Sequence, residues 1–169
     1  MKKVFLFFVS YVIILPSNTF SVHWRFFKMA IKMRILYASS KKKINNIANM
    51  IKAQYELAFN SVDVIPPAYS CDKERIVILA VSAKGDISDS LRLFCRELTK
   101  ARAQNVALMI DGDEKVVAKL KETLTEAGTN VIDEVLYVKG GMPIFGGSVK
   151  PEEKAEIFAW VDRVIANLK

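Results

Sequence analysis

Histidine is almost missing from this chain: His23 is the single one in 169 residues. That excludes a multi-histidine metal site and a histidine-based catalytic triad. Cysteine is nearly as scarce. Cys71 and Cys95 stand at no metal-ligand spacing and form no CxxC, so they read as reduced thiols, Cys71 in a loop and Cys95 on the apolar side of a predicted helix. Pairing them as a disulfide requires an oxidising compartment. Glycine-rich phosphate signatures are missing as well. Neither GxxxxGK[ST] nor GxGxxG follows a predicted strand, and the paired glycines Gly140-Gly141 and Gly146-Gly147 come after the last one, where a dinucleotide fingerprint does not belong.

Acidic residues are absent from residues 1–32, which hold Lys2, Lys3, Arg25, Lys28 and Lys32. The remainder has 20 basic and 18 acidic residues, so most of the net charge of +7 lies in that N-terminal segment. No nucleic-acid-binding motif occurs there, and no nucleic-acid partner is expected. A long apolar run is lacking too. Val4 to Leu15 spans twelve residues, against the roughly 20 needed to cross a bilayer. Behind Lys2 and Lys3 it matches the n-region and h-region of a signal peptide, followed by Pro16 to Ser21 with no clean small-x-small cleavage site. The other reading is an over-long start, because Met29 and Met33 stand just before MRILYAS. The first reading implies an exported or membrane-associated chain, the second a cytoplasmic one without membrane contact; the cytoplasm is the expectation. Residues 1–32 are set apart from a domain over 33–169 on either reading.

What is present describes one globular domain, with 51% hydrophobic and 25% charged residues. Ile35 to Ala38 form a short apolar run closed by Ser39 and Ser40, a buried strand. Ile44, Ile47, Ala48, Ile51, Tyr55 and Ala58 then recur at helical spacing. Val62 to Ile65 is a second strand stopped by Pro66-Pro67, and Ile76 to Val81 a third, apolar throughout. Ile87, Leu91, Phe94, Cys95 and Leu98 mark a helix capped by Asp86 or Ser88. Val106 to Ile110 is the fourth strand. Asp113 can cap a helix with inner face Val117, Leu120, Leu124 and Ala127, stopped by Gly128. A fifth strand, Val131 to Val138, and a helix starting at Pro151 with the stripe Ile157, Trp160, Val161, Val164 and Leu168 complete the chain. Trp160 reads as core. Residues 66–74 are too few for a crossover helix, so a loop or single turn is expected there.

Alternating strands and helices predict an α/β fold: a three-layer α/β/α sandwich around a five-stranded parallel sheet. Ligands of such sheets lie beyond the carboxyl ends of the strands, where strand order reverses. Four loops reach that rim: 39–44, 82–88, 111–114 and 139–149. The segment KKK at 41–43 is unusual at a helix start, where each cation opposes the dipole by about 0.3 to 1 kcal/mol. An anion among the lysines makes better physical sense than a solvated basic turn.

The succession of ILYASS with a polar loop and amphipathic helix, ILAVSAKGDISDSLRLFCREL, NVALMIDGD, and YVKGG with the closing KPEEKAEIFAWVDRVI resembles short-chain flavodoxins from Met33 to the end. The resemblance implies strand order 2-1-3-4-5, bound flavin mononucleotide (FMN), and electron transfer or flavin-dependent reduction, with a redox partner protein or a small reducible substrate. An electron carrier is a better match than a stand-alone enzyme. That family's phosphate loop typically reads Ser-x-Thr-Gly-x-Thr. Ser39 matches its first position, while Lys41, Lys42 and Ile44 replace Thr, Gly and Thr. The resemblance assigns the phosphate to Ser39, Ser40, Lys41, Lys42, Lys43 and Asn45, and the ring border to Ser82, Ala83, Lys84, Gly85, Asp86, Asp111, Gly112 and Asp113. No aromatic lies in 82–86 or 111–114; Phe145 and Tyr69 are the stacking candidates. The alternative is a flavodoxin-fold module that has lost the cofactor and serves as a binding or scaffold protein. A phosphorelay receiver is excluded, because Ser39-Ser40 and Ser82 stand where its acidic residues belong.

Overall fold

A computed structural model describes residues 31–141 and 147–168. The strands are β1 (Met33–Ala38), β2 (Val62–Val64), β3 (Glu74–Ala83), β4 (Ala103–Gly112), β5 (Asn130–Val131) and β6 (Leu136–Tyr137). The helices are α1 (Lys42–Gln54), α2 (Asp89–Glu97), α3 (Glu114–Glu126) and α4 (Pro151–Ala166), with a 3-10 turn at Phe59–Ser61. Every strand pairing is parallel, in the order β2-β1-β3-β4-β5, with β6 also on β4. This is the predicted 2-1-3-4-5 sandwich.

Alternation along β3 builds the two cores. Val77, Leu79 and Val81 point to the side covered by α2 and α3, where they join Leu91, Phe94, Cys95, Val117 and Leu120. Ile76, Ile78 and Ala80 point to the other side, against Ile44, Ile47 and Ile51 of α1 and Ile157, Trp160 and Val161 of α4. A central strand buried on both faces has no use for polar alternation, which is why Ile76 to Val81 reads as unbroken apolar sequence.

The differences from expectation lie at element ends. β3 and β4 are longer than their apolar cores, because pairing continues through Ser82↔Asp111 and Ala83↔Gly112. The fifth strand is interrupted: Asp133 and Glu134 leave the sheet for solvent, while Ile132 and Val138 donate to the Val106 and Ile110 carbonyls on either side. α1 stops at Gln54, short of Ala58, and Glu56 turns the chain with φ +50°. Ser88, whose side chain accepts from the Leu91 N–H, is the cap of α2; Asp86 accepts instead from Ile87 N–H.

No helix forms in 66–74. Arg34 of β1, only 6% exposed, holds that connection by donating to the Tyr69 and Ser70 carbonyls. Both cysteines are free and buried. Burial pushes the Cys95 thiol up to about 12 and raises that of Cys71, against the opposing pull of Arg34.

Candidate functional site at the carboxyl rim

The sheet's switch point lies where the chain leaves β1 for β2 on one side and β3 on the other, so the rim above β1 and β3 is the ligand position of this architecture. Three residues, 39–41, connect β1 to α1. Ser39 Oγ accepts from the Lys41 N–H at 3.0 Å and donates to Ser82 Oγ at 2.8 Å. Ser82, at the end of β3, donates to Asp111 Oδ2 at 2.9 Å. Lys41 reaches over β3 to the same oxygen at 2.5 Å. The Gly140 N–H, from the segment after β6, also donates to Asp111. One polar chain thus crosses the rim from β1 to β6.

Asp111 is its centre. Burial acts to raise its pKa, but the Lys41 ammonium, the Gly140 amide and the Ser82 hydroxyl together outweigh that and hold it below the usual carboxylate range. Gly140 is buried against the pair. A Cβ there meets Asp111 Oδ2 at 2.2 Å and Lys41 Cδ at 2.5 Å, so any other residue has to displace the pair.

The remaining lysines differ from Lys41. Lys43 lies in the first turn of α1, is 8% exposed, and pairs with Glu153 Oε1 of α4 at 2.7 Å. Glu153 also accepts from the Lys150 N–H, and these bonds, led by that from Lys43, lower its pKa. Lys42 is exposed and makes no ion pair among the described residues. Ser40 is exposed in the connecting bend. Asn45 lies one turn into α1, with its amide 3.4 Å from the Tyr37 hydroxyl. α1 has no acidic residue in its first turn and no side-chain cap.

The expected ring-border residues form a separate cluster. Gly85, at φ +73°, donates its N–H to Asp113 Oδ2, and Asp113 also caps α3 through the Val116 N–H. Asp86 pairs with Lys119 at 2.8 Å and with Arg92 at 3.3 Å. Lys84 is exposed. Ala83 and Gly112 are register partners, and a Cβ on Gly112 meets the Ala83 carbonyl oxygen at 2.1 Å. Gly112 therefore serves strand packing. Tyr69 is 67% exposed, in the connection between β2 and β3 that Arg34 holds beside the amino-terminal half of β1; it does not reach the rim. Phe145 lies outside the described residues.

These residues do not fit a flavin phosphate as arranged. Ser39, Lys41 and Lys43, expected to receive it, already have partners, and a carboxylate stands beside Lys41 where a second anion would meet repulsion. The anions that make sense of KKK at a helix start are the chain's own, Asp111 and Glu153. Sequence reasoning placed Asp111 at the rim but missed Gly140 and Glu153 as partners. The signals were there: a Gly-Gly pair ending the last strand, and a glutamate in the first turn of α4.

No protein-family model matches the chain, and no curated protein matches it in sequence. Among the described residues, no helix is long and apolar enough to cross a membrane, and no group of three or more His, Cys, Asp or Glu residues is placed to hold a metal ion.

Proposed function

We propose that this chain is a flavodoxin-like module that does not retain flavin mononucleotide and works as a binding or scaffold protein. The observation that carries the reading is the Ser39–Ser82–Asp111–Lys41 chain, which gives Ser39 and Lys41, two of the residues expected to hold a phosphate, partners within the protein. The exposed surface agrees with a protein partner. Of the large hydrophobic side chains exposed among the described residues, Phe59, Val64 and Tyr69 cluster in residues 59–69 around the edge strand β2. Exposed aromatics of this kind supply much of the affinity in protein interfaces. We infer a cytoplasmic location, in keeping with two free buried thiols.

Purified full-length protein tests the reading directly. It is expected to be colourless and to keep its melting temperature when flavin mononucleotide is added. A yellow protein with oxidised-flavin absorption, or a ligand-dependent rise in melting temperature, would overturn it.

A second reading, an FMN-dependent electron carrier acting with a redox partner or a small reducible substrate, draws support from α1. Its amino terminus has no acidic residue and no side-chain cap, with Ser40 and Lys42 exposed beside it, and such a terminus favours an anion. There the backbone amides of residues 40–43 would hold the phosphate, and the flavin would supply the redox chemistry.

A further inference from the structure

At the rim a cation, a hydroxyl and a backbone amide converge on one carboxylate: Lys41 Nζ, Ser82 Oγ and the Gly140 N–H all donate to Asp111. That is the donor set of a site for a tetrahedral oxyanion, and its occupant here is a side chain. Asp111 belongs to β4, and its position is set by pairing with Ser82 across β3. It cannot swing away without losing the bond from Ser82. Gly140, packed against both Lys41 and Asp111 with no room for a Cβ, covers the pair from the side of β6.

We propose that Asp111 is the specificity-determining residue of the rim, an internal anion that excludes phosphate monoesters from the donors formed by Lys41, Ser82 and Gly140. The inference rests on the flavin-free reading and explains it: the fold keeps the donors of an anion site and fills them from within. Removal of the one negative charge turns Lys41 towards solvent anions, with the hydroxyl and the amide already in place.

Asp111→Asn tests this, because asparagine keeps the size and a carbonyl acceptor for Ser82 and Gly140 while losing the charge that holds Lys41. Wild type, Asp111→Asn and the double variant Asp111→Asn/Lys41→Met are titrated calorimetrically with inorganic phosphate and with flavin mononucleotide, after circular dichroism confirms their folding. Wild type is expected to show no saturable binding. Asp111→Asn is expected to bind saturably, at least about tenfold more tightly than the weakest affinity the titration resolves, and the double variant to lose that gain.

A folded Asp111→Asn that binds no better than wild type overturns the proposal and leaves the flavin-free reading standing. A gain that persists without Lys41 also overturns it. Wild type that binds flavin mononucleotide, with Asp111→Asn tighter still, sinks the flavin-free reading and keeps the role of Asp111. Should Asp111→Asn not fold, the side-chain ammonium resonance of Lys41 in wild type is followed by nuclear magnetic resonance during phosphate addition. It is expected to stay fixed, and a saturating shift overturns the proposal.

Discussion

Two glycines at the carboxyl rim make close approaches of different kinds. At Gly112 the atom in the way of a Cβ is the Ala83 carbonyl oxygen, at 2.1 Å, so backbone meets backbone. At Gly140 it is the carboxylate of Asp111 and the stem of Lys41, side chains that can yield. Gly112→Ala therefore has to separate β3 from β4 locally and is expected to lower stability by about 2 to 4 kcal/mol, read from urea denaturation. Asp111 leads to a prediction in pH. Its folded pKa is lowered, so the stability it contributes is present above the unfolded value of about 3.9 and is lost as pH falls through the lower folded value. The gap in melting temperature between wild type and Asp111→Asn should hold at neutral pH and narrow below about pH 4. That Asp111 lies at the rim was legible from its place after an apolar strand; that it takes Lys41 was not. The two are 70 positions apart, and nothing in the local pattern links them.

At the scale of elements, helix interiors were legible and helix ends less so. The stripes of α2, α3 and α4 emerge at the expected positions because burial of one face at helical spacing leaves few alternatives. α1 shows the limit. Its apolar spacing runs on to Tyr55 and Ala58, yet the helix ends at Gln54, because Tyr55 remains buried as the capping residue while the chain turns at Glu56. The interruption between β5 and β6 was hidden for a related reason. Val131 to Val138 alternates well enough for a strand, but Asp133 and Glu134 are adjacent, so one of them would face the core if the strand continued. Leaving the sheet exposes both, and Arg163 of α4 then meets Glu134 at 2.6 Å. The choice between Asp86 and Ser88 as the cap of α2 is decided by the bond from Leu91 N–H to Ser88 Oγ. Ser88→Ala is accordingly expected to lower stability by about 1 kcal/mol, seen as an earlier urea midpoint with an unchanged slope.

For the whole molecule, the parallel order and the two cores were readable because every strand is followed by its own helix or by a connection too short for one, and right-handed crossovers leave few ways to arrange them. The start of the folded unit was harder to read, since MRILYAS looks like a natural opening. The chain uses more than that. The Lys32 carbonyl accepts from the Arg75 N–H at 2.9 Å and lies 3.3 Å from the Ile76 N–H, extending the β1–β3 pairing by a residue. Its ammonium bonds the Asp72 carbonyl and stands 3.6 Å from Oε1 of Glu74, a carboxylate 4% exposed whose other oxygen has no hydrogen-bond partner. Ile31 packs partly against the core shared by α1 and α4. A chain begun at Met29 keeps all of these contacts, whereas one begun at Met33 leaves a buried glutamate without its cation and the first amides of β3 without an acceptor. Unsatisfied buried groups of this kind are each worth about 1 to 3 kcal/mol. The Met33 start is therefore expected to melt several degrees below the Met29 start, by roughly 2 to 4 °C for each kcal/mol lost. Equal melting temperatures for the two truncated chains would remove Lys32 from the fold's supports and return its opening to Met33.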